Sequence, residues 1–228
     1  MVMYCTKHYI SICGLLCYVF SFSQDNFTSF GESGLTVNHK ISDYYSVNFS
    51  AKARYFLYRD DNLTLENRQL DVVHFSTYKL DYNTSLSFGV QYRQRNNFDG
   101  GSNELRLTQQ YNYTKQRLAI RFGHRFRLEQ RFLEDLTIFR SRYRFAVDFP
   151  LVGEKLDIGE TYLVTSMEAL LSMTKNNKPE TDHRTVIQIG FQTSKTLKLQ
   201  IGLEYRFEAF NLETEHVLFA LTSAILKL

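Results

Sequence analysis

Polar and apolar residues alternate along almost the whole chain after residue 30. The stretch from Arg117 to Arg131 is typical. Its odd positions carry Arg121, Gly123, Arg125, Arg127, Glu129 and Arg131, and its even positions carry Leu118, Ile120, Phe122, His124, Phe126, Leu128 and Gln130. A helix would scatter those apolar residues round its axis, whereas a strand puts them all on one face. The same period predicts strands at 31–41, 45–58, 67–80, 84–95, 103–114, 117–131, 136–149, 160–173, 182–194, 197–210 and 214–228. Most are long enough to cross a bilayer when tilted. Bacterial single-chain barrels have even strand numbers. Eleven segments therefore lead to an expectation of ten or twelve strands, with residues 24–41 forming an extra arm or lying partly inside the barrel.

The connections alternate in length, as expected of short periplasmic turns and longer outer loops. Residues 80–83, 114–116 and 194–196 read as tight turns. Residues 96–102, 131–135, 175–180 and 211–213 read as looser connections. The segment from Pro150 to Asp157 is the exception, long on what should be the short side.

Alternation alone does not say which face points inward. A soluble lipocalin-like barrel would carry the same code inside out. Gly89, Gly123, Gly190 and Gly202 all fall on polar faces. Glycine weakens a strand and needs a reason such as crowding, which the inside of a closed barrel supplies and a solvated surface does not. The polar faces are therefore assigned to the lumen. They form charge ladders: Arg121, Arg125, Arg127 and Glu129 on one strand, Arg140, Arg142, Arg144 and Asp148 on the next, and Lys198, Gln200, Glu204, Arg206 and Glu208 on another. Lys52, Arg54, Arg93, Arg95, Glu104, Arg106, Arg184 and Gln188 add to the lining. Such ladders suit an anion-attracting pore or ligand site. The carboxylates among the arginines favour cross-strand pairing that fills a narrow interior.

Composition narrows the setting. Residues 1–23 read as a secretory signal, leaving 24–228 as one barrel domain: Lys7 and His8 precede an apolar run from Tyr9 to Phe20, and Ser21-Phe22-Ser23 offers small residues before Gln24. That run is too short for a spanning helix, and no later stretch reaches the length. Cys5, Cys13 and Cys17 all lie inside the signal, so the remainder has no cysteine chemistry and no disulfide framework. A cysteine-free exported β protein fits the Gram-negative outer membrane. The net charge of +3 comes from charges of alternating sign, which is not a nucleic-acid surface. Interfacial belts usually use Trp and Tyr; this chain has no Trp, and its 15 Tyr and 19 Phe are expected to fill that role. The expected partners are outer-membrane lipid and the barrel-assembly machinery.

The arrangement resembles a family of Gram-negative outer-membrane barrels known as domain of unknown function 2490. The resemblance rests on Val37-Asn-His-Lys-Ile41 leading to Lys52-Ala-Arg54, and on the central Tyr92-Arg-Gln-Arg95. It rests also on the paired ladders Arg121–Arg127 and Arg140–Arg144, and on Leu203-Glu-Tyr-Arg-Phe207 followed by Glu215-His216. It implies an outer-membrane barrel and carries no activity. The chain ends in Leu228, where barrel-assembly signals typically have an aromatic residue.

Few residues suggest chemistry. No zinc spacing, phosphate loop or nucleophile elbow is present, and no cofactor or metal is expected. His74 and Ser76 share a strand face with Leu70, Val72 and Tyr78, and that face is assigned to lipid. A Ser–His pair there is similar to the geometry of an outer-membrane phospholipase, in which the histidine activates the serine. No acid or amide stands out as its third member. The expected function is a non-enzymatic barrel with a filled, ion-paired lumen, structural or a narrow channel. The alternative is a lipid-acting enzyme using His74 and Ser76.

Overall fold

The computed structural model describes residues 27–175 and 177–228; the expected signal, residues 1–23, lies outside them. The described residues are all β, apart from one short helical turn, α1 (Asn96–Asp99). Its strands are β1 (Phe27–Lys40), β2 (Tyr45–Arg59), β3 (Asn62–Leu63), β4 (Asn67–Lys79), β5 (Thr84–Gln94), β6 (Glu104–Arg117), β7 (Ile120–Phe132), β8 (Thr137–Pro150), β9 (Thr161–Met173), β10 (Glu180–Gln192), β11 (Leu197–Glu208) and β12 (Glu215–Lys227). The two-residue β3 only extends the tip of β2, where Asp60 and Asp61 turn the chain in the left-handed conformation. The other eleven form a closed barrel. Each pairs antiparallel with its sequence neighbour, and β1 closes the ring by pairing with both β2 and β12.

The strand number is thus odd, neither ten nor twelve. The reason is one of parity. In an up-and-down series of eleven, the first and last strands run the same way, so closure requires a parallel pair. β1 and β12 make it over twelve residue pairs, from Phe27↔His216 to Asn38↔Lys227. The segment expected to be an arm or an insert is, from Phe27 onward, a full wall strand. A second correction concerns the β6–β7 turn. It lies at Leu118-Ala119 rather than 114–116, because pairing continues to Arg117↔Ile120 and Leu118 takes a left-handed φ of 52°.

The alternation of connection lengths holds. Residues 41–44, 80–83, 118–119 and 193–196 join strands at one end, with the long 151–160 as the exception there. Residues 60–66, 95–103, 133–136, 174–179 and 209–214 lie at the other, called here the loop end. A strand of thirteen residues, such as β9, rises about 33 Å at roughly 3.3 Å per residue and a tilt of about 40°. That matches the ~30 Å hydrocarbon core of a bilayer.

Side chains follow the alternation, with one clustered inversion and isolated inward apolar residues such as Val73 and Leu170. Leu35, Phe49, Val72, Phe88, Phe126, Leu128, Phe139, Met167, Ile187, Ile201 and Leu203 are exposed on the outer wall. Asp71, Glu104, Arg106, Glu129, Glu168, Asp182 and Arg206 are buried inside. The inversion sits at the seam, where Phe30, Phe56, Val217 and Phe219 turn inward and pack together near the loop end. Phe30 stacks between the other two rings, with centroids 4.9 and 5.1 Å away. Guanidinium groups cap this cluster: Arg206 lies 3.8 Å and Arg54 4.6 Å from the Phe219 ring centre, and Arg68 lies 4.5 Å from that of Phe30.

Three of the four polar-face glycines are crowded. A Cβ on Gly89 would meet the Phe75 ring at 2.3 Å, one on Gly190 the Tyr162 ring at 2.1 Å, and one on Gly202 the Ile187 carbonyl oxygen at 2.2 Å. Gly123 departs from this explanation, since its nearest neighbour would be Ala146 Cβ at 4.0 Å.

Candidate functional site in the barrel lumen

Inward-facing residues of adjacent strands stand directly opposite one another, and this register builds the lumen. Arg127 faces Arg142, and Arg125 faces Arg144, across β7 and β8. Across the next pair of strands, Arg144 faces Glu168. Arg184 faces Glu168 on one side and Arg206 on the other. Like charges opposed on paired strands destabilise the sheet unless carboxylates reach between them.

Those carboxylates are heavily shared. Glu129, with its side chain wholly enclosed, accepts from Arg142 at 2.8 Å and has Arg106 and Arg127 at 3.5 Å. Glu168 binds Arg142 at 2.5 Å and Arg125 at 3.2 Å. Glu104 takes Arg131 in a two-pronged contact at 2.8 and 2.9 Å, and Arg106 at 2.6 Å. Asp71 takes Arg93 the same way at 2.8 and 2.9 Å, with Gln69 and Gln91 donating to it as well. Arg206 donates to Glu204 and lies 3.3 Å from Glu208. Glu32 holds Arg54 at 2.7 Å and Lys52 at 3.2 Å. Asp182 lies 3.6 Å from Arg184 and 3.9 Å from Arg140, whose Nε donates to Ser172 at 2.7 Å. Planar guanidinium groups suit such two-pronged pairing.

Each ladder residue singled out from the sequence therefore has a place. Arg125, Arg127, Glu129, Arg140, Arg142, Arg144, Glu204, Arg206 and Glu208 face inward; ion pairs join Arg125, Arg127, Glu129 and Arg142 in one network and Arg140, Glu204, Arg206 and Glu208 in another, and Arg144 belongs to neither. Arg121 stands apart at the turn end, 57% exposed and paired with Asp148 at 2.8 Å. Sequence reading missed Glu168, Asp71, Asp182 and Glu32. Asp71 alternates with the outward Leu70 and Val72, and Asp182 shares the parity of Arg184, so both were accessible to the same rule. Glu168 was hidden because the inward face of β9 is mixed: Tyr162, Val164, Ser166, Glu168, Leu170 and Ser172.

Cations outnumber carboxylates in this lattice. The eight acids just named serve eleven paired cations, and Arg144 adds a twelfth that makes no ion pair with any described residue. The Nε groups of Arg54, Arg125, Arg142, Arg144 and Arg184 are buried donors without an acceptor. All five of these arginines line a luminal cavity of about 260 Å³. A second cavity, of about 210 Å³, lies toward the loop end.

The outer His–Ser pair does form. His74 Nε2 is 3.1 Å from Ser76 Oγ, and the Tyr45 hydroxyl is 2.9 Å from the same oxygen. The histidine has no orienting partner, however. Its Nδ1 is buried against the wall without an acceptor or donor among the described residues, and Phe49 stacks on the ring at 4.5 Å. Among the described residues, no group of His, Cys, Asp and Glu is arranged to hold a metal ion.

Three comparisons bear on relationship. No curated protein matches the chain. Among solved structures, the crystal structure of the siderophore receptor PirA from Pseudomonas aeruginosa aligns at 11% identity and a TM-score of 0.27. The alignment covers 74% of this chain and 32% of the receptor, so the chain spans about a third of that protein's length, and a likeness this distant carries no argument. The family described as "Protein of unknown function (DUF2490)" matches residues 33–215. That match runs from within β1 to the first residue of β12, and the chain belongs to the DUF2490 family.

Proposed function

We propose that this chain is an integral barrel of a Gram-negative outer membrane. It is exported with residues 1–23 as a signal, and its interior is a packed ion-pair lattice rather than an open pore. One observation carries the reading: burial is inverted. The wholly enclosed large side chains are Phe219 and a carboxylate, Glu129, while rows of Leu, Ile, Phe and Met stand exposed round the outer wall. A water-soluble barrel would turn that wall inward; in lipid, the wall is the solvated surface. Tyr44, Tyr78 and Tyr82 are exposed toward the turn end, and Phe98, Phe132 and Phe210 toward the loop end, where interfacial aromatics belong.

The lattice argues for a structural barrel or, at most, a narrow conductor. The Ser76–His74 contact would suit lipid hydrolysis if an acid oriented the histidine; the unpartnered Nδ1 favours the non-enzymatic reading. Fractionation of expressing cells is expected to place the protein in the outer membrane, with migration on gels that changes on boiling. Planar bilayers are expected to give small conductance at most. Recovery as a soluble periplasmic protein would overturn the membrane assignment, and large, stable, anion-selective channels would overturn the filled lumen.

A further inference from the structure

We infer that the luminal cavity of about 260 Å³ is a binding site for a phosphate-type oxyanion, held by Arg125, Arg144 and Arg184. Three observations converge there. First, Arg125 and Arg144 stand directly opposite each other on β7 and β8, a like-charge pair that the fold keeps. Second, the one carboxylate in register with Arg144 and Arg184 is Glu168, and its oxygens are taken by Arg142 at 2.5 Å and Arg125 at 3.2 Å. Arg144 is left with no ion pair, and Arg184 reaches acids only at 3.5 and 3.6 Å. Third, ten Lys and Arg side chains line this cavity but only four carboxylates, Glu32, Asp71, Glu168 and Glu204. Buried charges are almost always compensated, and an uncompensated cluster calls for a ligand that supplies what is missing. Here donors and positive charge are in surplus, so the missing partner is an anion with several acceptor oxygens. Guanidinium forks match phosphate oxygens in pairs.

Lys52 lines the same cavity, and 44% of its side chain is accessible. A cavity of this size holds phosphate with a small substituent, and not a lipid headgroup with its chains. The inference concerns the interior alone and does not depend on where the barrel resides.

The test compares wild type with Arg144→Gln, each folded in detergent and each checked for the boiling-dependent gel shift. Inorganic phosphate is titrated calorimetrically against sodium chloride of equal ionic strength, with glycerol phosphate as a second arm. Wild type is expected to bind one phosphate per chain. Arg144→Gln is expected to weaken binding by roughly ten- to hundredfold, as loss of a charge-assisted hydrogen-bond set does. Glycerol phosphate binding better than the free ion would identify a phosphate monoester as the natural ligand; the reverse would identify free phosphate. The second readout is the unfolding midpoint in chloride alone. There Arg144→Gln is expected to be at least as stable as wild type, since it removes an unpaired charge. Phosphate is then expected to raise the wild-type midpoint and not that of the variant. Phosphate effects no larger than those of chloride, or equal effects on both proteins, would overturn the site. So would a variant that is less stable in chloride, because Arg144 would then be an ordinary member of the lattice.

Discussion

Arg142→Ala tests the lattice at its most connected point. The guanidinium bridges Glu129 at 2.8 Å and Glu168 at 2.5 Å, and its side chain is only 10% exposed. Removal leaves Glu129, which is fully enclosed, with Arg106 and Arg127 at 3.5 Å, and leaves Glu168 with Arg125 at 3.2 Å. Breaking a buried pair by deleting one partner costs about 3–5 kcal/mol, most of it the stranded charge. Both acids keep weaker partners here, so the lower end applies, about 3 kcal/mol, or roughly a hundredfold in the unfolding equilibrium. Arg121→Ala is the internal control. Its pair with Asp148 is equally short at 2.8 Å, but Arg121 is 57% exposed, and such a pair contributes about 1 kcal/mol or less. The assay is the urea concentration at which the folded form is lost, read from the boiling-dependent gel shift of protein in detergent. Equal effects of the two substitutions, or a stabilised Arg142→Ala, would refute the claim that the enclosed lattice, and not the apolar wall alone, holds the barrel.

Four further outcomes are expected. Wild type and Ser76→Ala are both expected to show phospholipid hydrolysis at background level; fatty-acid release by the wild type that the substitution abolishes would restore the enzyme reading. Gly202→Ala, whose Cβ would meet a backbone oxygen at 2.2 Å, should lower the urea midpoint clearly, while Gly123→Ala, with 4.0 Å of clearance, should not. The Asp81 carboxyl, in the β4–β5 turn, is held below its ordinary range by the backbone N–H of Asn83, and also by Thr84. Its contribution to the turn is therefore present above the ordinary aspartate range and fades as falling pH protonates the carboxyl, so the stability gap between wild type and Asp81→Ala should shrink in acid. Finally, Ser33 and Thr222 touch across the β1–β12 seam with their hydroxyls 2.9 Å apart; Ser33→Cys with Thr222→Cys should cross-link under oxidation, and a barrel closed by any other pairing would not.

Much of this fold is legible in period-two alternation, because a strand with one wet and one greasy face has few other solutions. The wall of β7 shows this well: every arginine from Arg121 to Arg131 carries an odd number and faces inward with Gly123 and Glu129. Parity of faces is what the pattern encodes. What it does not encode is closure, since strand count and seam direction depend on partners far apart in the chain. Turn position also escaped, because Leu118 in a left-handed conformation is not a residue that turn chemistry would select. The lattice was half legible. Strands with uniform polar faces declared their members, whereas Glu168 sits on an inward face that is also lined by Val164 and Leu170. The seam cluster of Phe30, Phe56 and Phe219 inverts the rule outright, and only the three-dimensional neighbours explain it.

That inversion lies at the same seam as the parallel closure. With eleven strands, β1 must run parallel to β12, so Phe27 stands at the loop end beside His216, while Lys227 stands at the turn end beside Asn38. Between Glu215 and Lys227 at its two ends, the inward face of β12 offers Val217, Phe219, Leu221, Ser223 and Ile225, with no ionised group to join the lattice. A charged ladder from β11 could not be answered there. Arg206 of β11 instead lays its guanidinium on Phe219, and Arg54 of β2 does the same from the other flank. The rings present negative faces to these cations, so an apolar seam still accepts charge from both neighbours. The lattice thus passes across the parallel junction through cation–aromatic contacts in place of ion pairs. Replacing Phe219 with an aliphatic residue of similar bulk would fill the space but not carry the charge. The seam aromatic cluster is therefore part of the electrostatic lining of the lumen, reached by Arg206 from one flank and Arg54 from the other.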